Sequence, residues 1–275
     1  MASVRPPAVA GRFYPEAREQ LAREVRALLD PVQRFTHPAD ARGAIAPHAG
    51  YLYSGVTAAF VFSRIRLPRL VVILAPNHTG ICDAPGGASL WESGAFATPL
   101  GNVPVDVELA AALAEACPLV APDHAAHRDE HAIEVELPFL QTLRPDVRIV
   151  PLLLAWDTWP EARTLAEALA VLVKRWPEPV LLLASSDLNH YESAAISEIK
   201  DAQALAAVQT LDGAELLDRC RRERISMCGR GPAATVLAAA RALGATRAEV
   251  VDYRHSGWVT GDEGRVVGYA GVLIT

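Results

Sequence analysis

Four near-continuous aliphatic runs, at residues 43–46, 70–75, 148–154 ("RIVPLLL") and 180–184 ("VLLLA"), set the terms on which this chain can fold. Strands with one wet face alternate apolar and polar residues, whereas unbroken runs suit central strands covered on both faces. Between them lie segments of helical spacing, "VDVELAAALAEA" from 105, "HAIEVELPFLQTL" from 131 and "WPEARTLAEALAVLVKRW" from 159. An earlier helix, "EAREQLAREVRALLD", carries Leu21, Val25, Leu28 and Leu29 at helical spacing and is expected to end at Pro31. Helical patterns resume after Asn189, and the chain closes on two strand-like segments around a Gly-Asp-Glu-Gly loop. This alternation predicts an α/β fold: a single domain over residues 1–275, with a central, largely parallel or mixed sheet covered by helices and an antiparallel edge.

Composition narrows the partners. A chain of 275 residues with 51% hydrophobic content can bury one large core. Its net charge of -6, from 26 basic and 32 acidic residues without a basic stripe, points away from nucleic acid and anionic membranes and leaves small molecules and other proteins. The N-terminal "MASVRPPAVAGRFYPEA" lacks the apolar core of a signal peptide, and no apolar run approaches the roughly 18 residues of a membrane helix, so a cytoplasmic protein is expected. Cys82, Cys117, Cys220 and Cys228 are irregularly spaced without a C-x-x-C, which indicates neither a disulfide framework nor a zinc ribbon.

The chemistry gathers where the strands end. "GAIAPHAG" and "VVILAPNHTG" both run from an apolar strand into a proline, a histidine and a glycine, placing His48 and His78 just beyond strand ends. "VLLLA" runs into "SSDLNHY", so His190 follows a third strand, three positions after Asp187. Open α/β sheets bind ligands beyond the carboxyl ends of their strands, so the three histidines are expected to share one cavity. One such histidine alone is more often an ordinary loop residue. Several together on separate loops make an open coordination site for a metal. In "DHAAHRDEHAIEVELPF", a continuous helix would align His124, His127 and His131, but the charged first half reads as a solvated turn with His124 at the surface. His131 and Glu134, where the apolar pattern begins, are better placed to enter a site, with Glu130 beside them. In "SMCGRGPAATVL", Cys228 stands just before a helix whose dipole favours a thiolate; it reads equally as a ligand, a nucleophile or a small buried hydrophobe.

The segments "RPPAVAGRFYP", "APHAGYLYSG", "APNHTG", "EHAIEVELPFLQ", "SSDLNHY", "MCGRGP" and "VTGDEGRVVGYAGV" resemble, in order and over nearly the whole chain, the signatures of the Memo family, called AmmeMemoRadiSam system protein B in prokaryotes. That family is similar in fold to class III extradiol dioxygenases of the LigB type, non-haem iron enzymes that open catechol rings. The resemblance implies that His48, His78 and Cys228 are metal ligands, with iron or copper as the metal and zinc a further candidate. It makes Asp187, His190 and His131 the other polar residues of the pocket, expected to act in catalysis. With three ligands already supplied, His190 is expected to be a general acid/base or to hydrogen-bond substrate, with Asp187 orienting it. Two departures qualify this. A thiol replaces the dioxygenase carboxylate, which favours Cu(I), zinc or a differently tuned iron. "SGWVTGD" carries Trp258 where many members have aspartate, which would make the mouth of the cavity bulkier if that loop lines it.

The functions implied are a metal-dependent redox or ring-modifying enzyme acting on a small molecule, or a metal- or partner-binding protein that retains the pocket of a dioxygenase ancestor. Hydrolysis by a Cys228–histidine dyad is a third, weaker reading. The family name further implies AMMECR-type and radical S-adenosylmethionine proteins as companions.

Overall fold

The computed structural model describes residues 3–34 and 37–275. Its elements are β1 (Val4–Arg5), α1 (Arg18–Gln33), β2 (Gly43–Ala46), α2 (Tyr51–Phe62), β3 (Leu70–Pro76), β4 (Ala88–Leu90), β5 (Ala95–Thr98), β6 (Gly101–Pro104), α3 (Val107–Ala116), β7 (Val120–Pro122) and α4 (His124–His127). There follow a 3-10 turn at Glu134–Glu136, then α5 (Leu137–Leu143), β8 (Arg148–Leu154), α6 (Trp159–Arg175), β9 (Val180–Ser185), β10 (His190–Glu192), α7 (Ala194–Gln209), α8 (Gly213–Arg222), α9 (Arg230–Ala242), β11 (Ala248–His255), α10 (Gly257–Thr260) and β12 (Val266–Ile274).

The four aliphatic runs are β2, β3, β8 and β9, and they lie side by side and parallel in the order β2-β9-β3-β8. On the β2 side, β12 pairs antiparallel and carries β11 and β10 antiparallel to itself; on the other, β4 runs antiparallel to β8 and β7 parallel to β4. The sheet is therefore mixed, with antiparallel strands on both flanks rather than at one edge. A second, small sheet of β1, β5 and β6 stands apart. Strands β3 and β9 are buried along their whole length, which is why neither alternates. Helices cover both faces. Strand alternation puts Gly43 and Gly271 on opposite faces, and a Cβ at the first would meet Val236 of α9 at 2.8 Å, at the second Val61 of α2 at 2.6 Å. Each fully buried leucine of this interior contributes about 1.5–3 kcal/mol of apolar transfer.

Two expected boundaries differ. Helix α1 runs through Pro31 to Gln33: the proline gives up one i→i−4 hydrogen bond within a turn of the helix end, and the burial of Leu29 and Val32 holds that last turn on the core. The helix expected from 131 starts later, because the carboxylate of Glu130 accepts the N–H groups of His131 and Ala132 at 2.8 and 3.0 Å and folds them into a turn. No helix among the described residues is long and apolar enough to cross a membrane.

Candidate metal centre

The order β2-β9-β3 brings three strand exits together. Ala46 is in register with Ser185, and Leu74 with Ala184, so the chain leaves all three strands at the same level of the sheet. His48, Asp187 with His190, and His78 then follow within a few residues. They line one cavity of about 420 Å³, together with His131 and a wall of Phe13, Tyr53, Tyr191 and Tyr269; Arg12 stands at its exposed rim.

Each imidazole is held at Nδ1 by an oxygen, and His78 and His131 share theirs. Glu130, buried, accepts the backbone N–H of His78 at 2.6 Å on Oε2 and the His78 ring Nδ1–H at 2.9 Å on Oε1. The same Oε1 lies 3.1 Å from Nδ1 of His131. His48 places Nδ1 2.7 Å from the Ser185 hydroxyl, and its backbone N–H donates to Asp187 Oδ1 at 2.9 Å. With the three Nδ1 atoms occupied, the Nε2 lone pairs are left for one another's neighbourhood. One ligand atom from each of His48, His78 and His131 lies within 4.8 Å of the others, and the His78 and His131 rings stack at 4.8 Å. Phe13 closes one side, edge-on to His131 at 4.9 Å.

Charge follows from this packing. Burial holds His48 neutral, and the neighbouring His131 and His78 push in the same direction. Burial also opposes protonation of His78, but its hydrogen bond and charge contact with Glu130 outweigh that and raise its pKa. For Glu130, burial favours the acid, yet the hydrogen bonds from His131 and His78 win and keep the carboxylate ionised well below the usual range.

Cys228 lies on the turn before α9, half-buried behind His48, with Sγ 3.3 Å from His48 Nε2. The Asp187 N–H donates to that sulfur at 3.3 Å. The turn can approach because residue 229 is glycine: a Cβ there would meet the Ser185 carbonyl at 2.3 Å. The expected help of the helix dipole does not prevail, since burial, and next the charge of Asp187, push the thiol well up. Without a metal the sulfur is a thiol.

His190 is oriented by Ser226, not by Asp187. Its backbone N–H donates to Ser226 Oγ at 2.7 Å and its ring Nδ1–H to the Ser226 carbonyl at 3.1 Å, while Asn189 Oδ1 accepts the Ser226 N–H at 3.1 Å. Asp187 serves His48 instead, and burial raises its pKa.

Other expected residues lie elsewhere. Glu134 forms a buried ion pair with Arg5 and accepts the N–H groups of Ala8 and Val9 and the Tyr14 hydroxyl. Arg5 in turn donates to the carbonyls of His127 and Glu130, so the N-terminal segment clamps the loop that carries Glu130 and His131. His124 stacks on Trp91 at 3.9 Å and bonds to Glu92, and His127 is buried with Nε2–H donating to the Ser89 carbonyl, so no comb of histidines forms with His131. Trp258 is 58% exposed, packs against His255 and Arg254 and stays outside the cavity walls. The part of Glu130 as shared acceptor has one local signal in the sequence, its place immediately before His131. Ser185 and Arg5 carry no comparable signal, because the partners that tie them to the site stand 49 or more residues away.

These donors fit a transition metal. Imidazoles with anchored Nδ1 atoms and a carboxylate behind two of them are the usual arrangement of metal-binding histidines, and the adjoining sulfur suits soft or borderline ions. Ligands about 2.0–2.3 Å from one ion stand about 3.3–3.8 Å apart; His48 Nε2 and Cys228 Sγ, at 3.3 Å, are already at that spacing, whereas the three imidazoles, spread over up to 4.8 Å, would be drawn inward.

A family model described as Memo-like protein matches residues 5–273. Among relatives, a MEMO1 family protein of Methanopyrus kandleri is 38% identical over 280 residues, covering 98% of each chain. One from Pyrobaculum aerophilum is 39% identical over 279 residues and one from Aquifex aeolicus 38% over 273, again with 98% of both chains aligned. Coverage this complete extends to the strand exits, the Glu130 loop and the turn before α9, and the chain belongs to the Memo family.

Proposed function

We propose that the cavity holds one transition-metal ion on His48, His78 and Cys228 and that the protein is a metal-dependent redox enzyme for a small organic molecule. The observation that supports this most is the convergence of the His48, His78 and His131 imidazoles in one cavity, each with its Nδ1 tied to an oxygen. His48 and His78 supply two donors, and metal binding would displace the proton of Cys228 to give the third. When bound, iron or copper would supply redox chemistry and Lewis acidity. The chain's own residues do the rest. Phe13, Tyr53 and Tyr269 form an aromatic seat for a flat substrate and keep water from one side. His190, with Nδ1–H tied to Ser226, offers Nε2 as a proton acceptor at the cavity wall. His131, held by Glu130, is a second proton-handling group, and Asp187 fixes the His48 backbone.

The unpaired state of all four cysteines suits a reducing compartment, and we place the protein in the cytoplasm. A role in a modification pathway beside AMMECR-type and radical S-adenosylmethionine proteins belongs to the same proposal and rests on the family resemblance.

Reconstitution with Fe(II) followed by oxygen-uptake measurement over a panel of catechols tests the reaction. Oxygen consumption with yellow ring-opened products, lost in His190→Gln at full metal content, is expected. An iron-loaded protein that stays silent across the panel would overturn the enzyme reading in favour of metal or partner binding.

A further inference from the structure

Behind His48 lies a buried carboxyl that the proposed chemistry leaves unused. Glu136 has no exposed surface, and its Oε2 has no hydrogen-bond partner. Its Oε1 is 3.1 Å from the Ser185 hydroxyl. That hydroxyl has two further neighbours, the Ala132 carbonyl at 2.6 Å and His48 Nδ1 at 2.7 Å.

A hydroxyl has one proton to give and two lone pairs to fill. The Ala132 carbonyl can only accept, and it is the nearest neighbour, so it takes the Ser185 proton. Both remaining neighbours then have to donate. His48 does so as the Nδ1–H tautomer, and Glu136 does so only if it carries a proton. Any other assignment sets two acceptors against each other at hydrogen-bond distance inside the core. An ionised Glu136 would also leave one charged oxygen without a protein donor and with no exposed surface, which is far more costly than an unpartnered neutral carbonyl. Burial favours the protonated form, and the nearby Asp187 adds to it.

From these contacts we infer that Glu136 is a neutral carboxylic acid and a positioning residue: by donating to Ser185 rather than competing for its proton, it leaves that proton pointing to the Ala132 carbonyl, and the hydroxyl so oriented holds His48 as the Nδ1–H tautomer with the Nε2 lone pair directed at Cys228 and the cavity. The consequence for metal binding rests on the proposed function; the protonation and tautomer do not.

The experiment uses the full-length protein and the variants Glu136→Gln, whose amide N–H replaces the O–H donor, and Glu136→Met, which has similar bulk and no donor. The metal-free wild type is expected to show a carboxylic-acid C=O stretch in the infrared that is absent from Glu136→Gln, and a His48 ring resonance of the Nδ1–H tautomer that Glu136→Gln retains. Titration with Zn2+ is expected to give affinities within about threefold of wild type for Glu136→Gln and weaker by about tenfold for Glu136→Met. Absence of the C=O band, or a Glu136→Gln protein that loses the tautomer, overturns the inference even if Glu136→Met does not fold. A wild type that shows band and tautomer but takes up no Zn2+ supports the inference and overturns the metal reading instead.

Discussion

Replacing Glu130 by glutamine removes one negative charge and one acceptor and changes little else in size. The amide oxygen is best placed where Oε1 stands, since that atom faces His78 Nδ1 and the N–H groups of His131 and Ala132. The amide NH2 then opposes the His78 backbone N–H, whose 2.6 Å bond is lost. Leaving that buried donor unsatisfied costs about 1–3 kcal/mol, and each surviving bond loses about 1 kcal/mol of charge assistance. Because the groups share one carboxylate these losses overlap, and the expected destabilisation is about 3–5 kcal/mol, or roughly 6–20 °C in Tm for a chain of this size. Metal affinity is expected to fall about 10- to 100-fold, because two histidines lose the group that aims them. The effect depends on pH. Glu130 has a depressed pKa, so its stabilisation is present above its ordinary value of 4.5 and is lost as pH falls through the folded value. The gap between wild type and Glu130→Gln is therefore expected to narrow in acid. Urea unfolding across pH, with metal titration at neutral pH, measures both effects. Wild-type metal affinity in a folded Glu130→Gln protein would refute the reasoning, and a loss of stability alone would reduce Glu130 to a scaffold residue.

Two further predictions concern the frame around the site. Asp201 is buried, accepts the Asn189 N–H and the Tyr253 hydroxyl at 2.8 Å each, and is pushed up to about 6, chiefly by burial. A raised carboxyl contributes stability below its ordinary 3.8 that is lost as pH rises through about 6; wild type is thus expected to gain about 3 kcal/mol over Asp201→Asn between neutral pH and about pH 4, read from urea midpoints. Gly229→Ala would drive a Cβ into the Ser185 carbonyl and Ser186, costing about 1–3 kcal/mol or more and moving Cys228 from His48. Thermal unfolding with metal analysis would show both, and an unchanged metal content would deny that the turn positions the sulfur.

The parallel core could be read from the sequence because its strands are unbroken and aliphatic, three of them six or seven residues long and the fourth, β2, marked by the proline, histidine and glycine that follow it, and the strand-end histidines followed from it. The short strands β4 to β7 escaped, since segments of three or four residues carry no period. His131 could be placed near the site, but not its stacking on His78, which depends on a carboxylate that folds its own loop. Ser226 as the anchor of His190, in place of the nearer Asp187, is invisible locally because 36 residues separate the pair. The state of Cys228 followed the same rule: a helix start is legible in sequence, and the burial that outweighs it is not.

X-ray absorption on the Zn2+-loaded protein tests the proposed donor set most directly. The account predicts one sulfur at about 2.3 Å with nitrogen neighbours at about 2.0–2.1 Å, the sulfur shell vanishing in Cys228→Ser. A shell of nitrogen and oxygen only, unchanged in Cys228→Ser and disrupted in His131→Ala, would contradict it and place the ion on His48, His78 and His131.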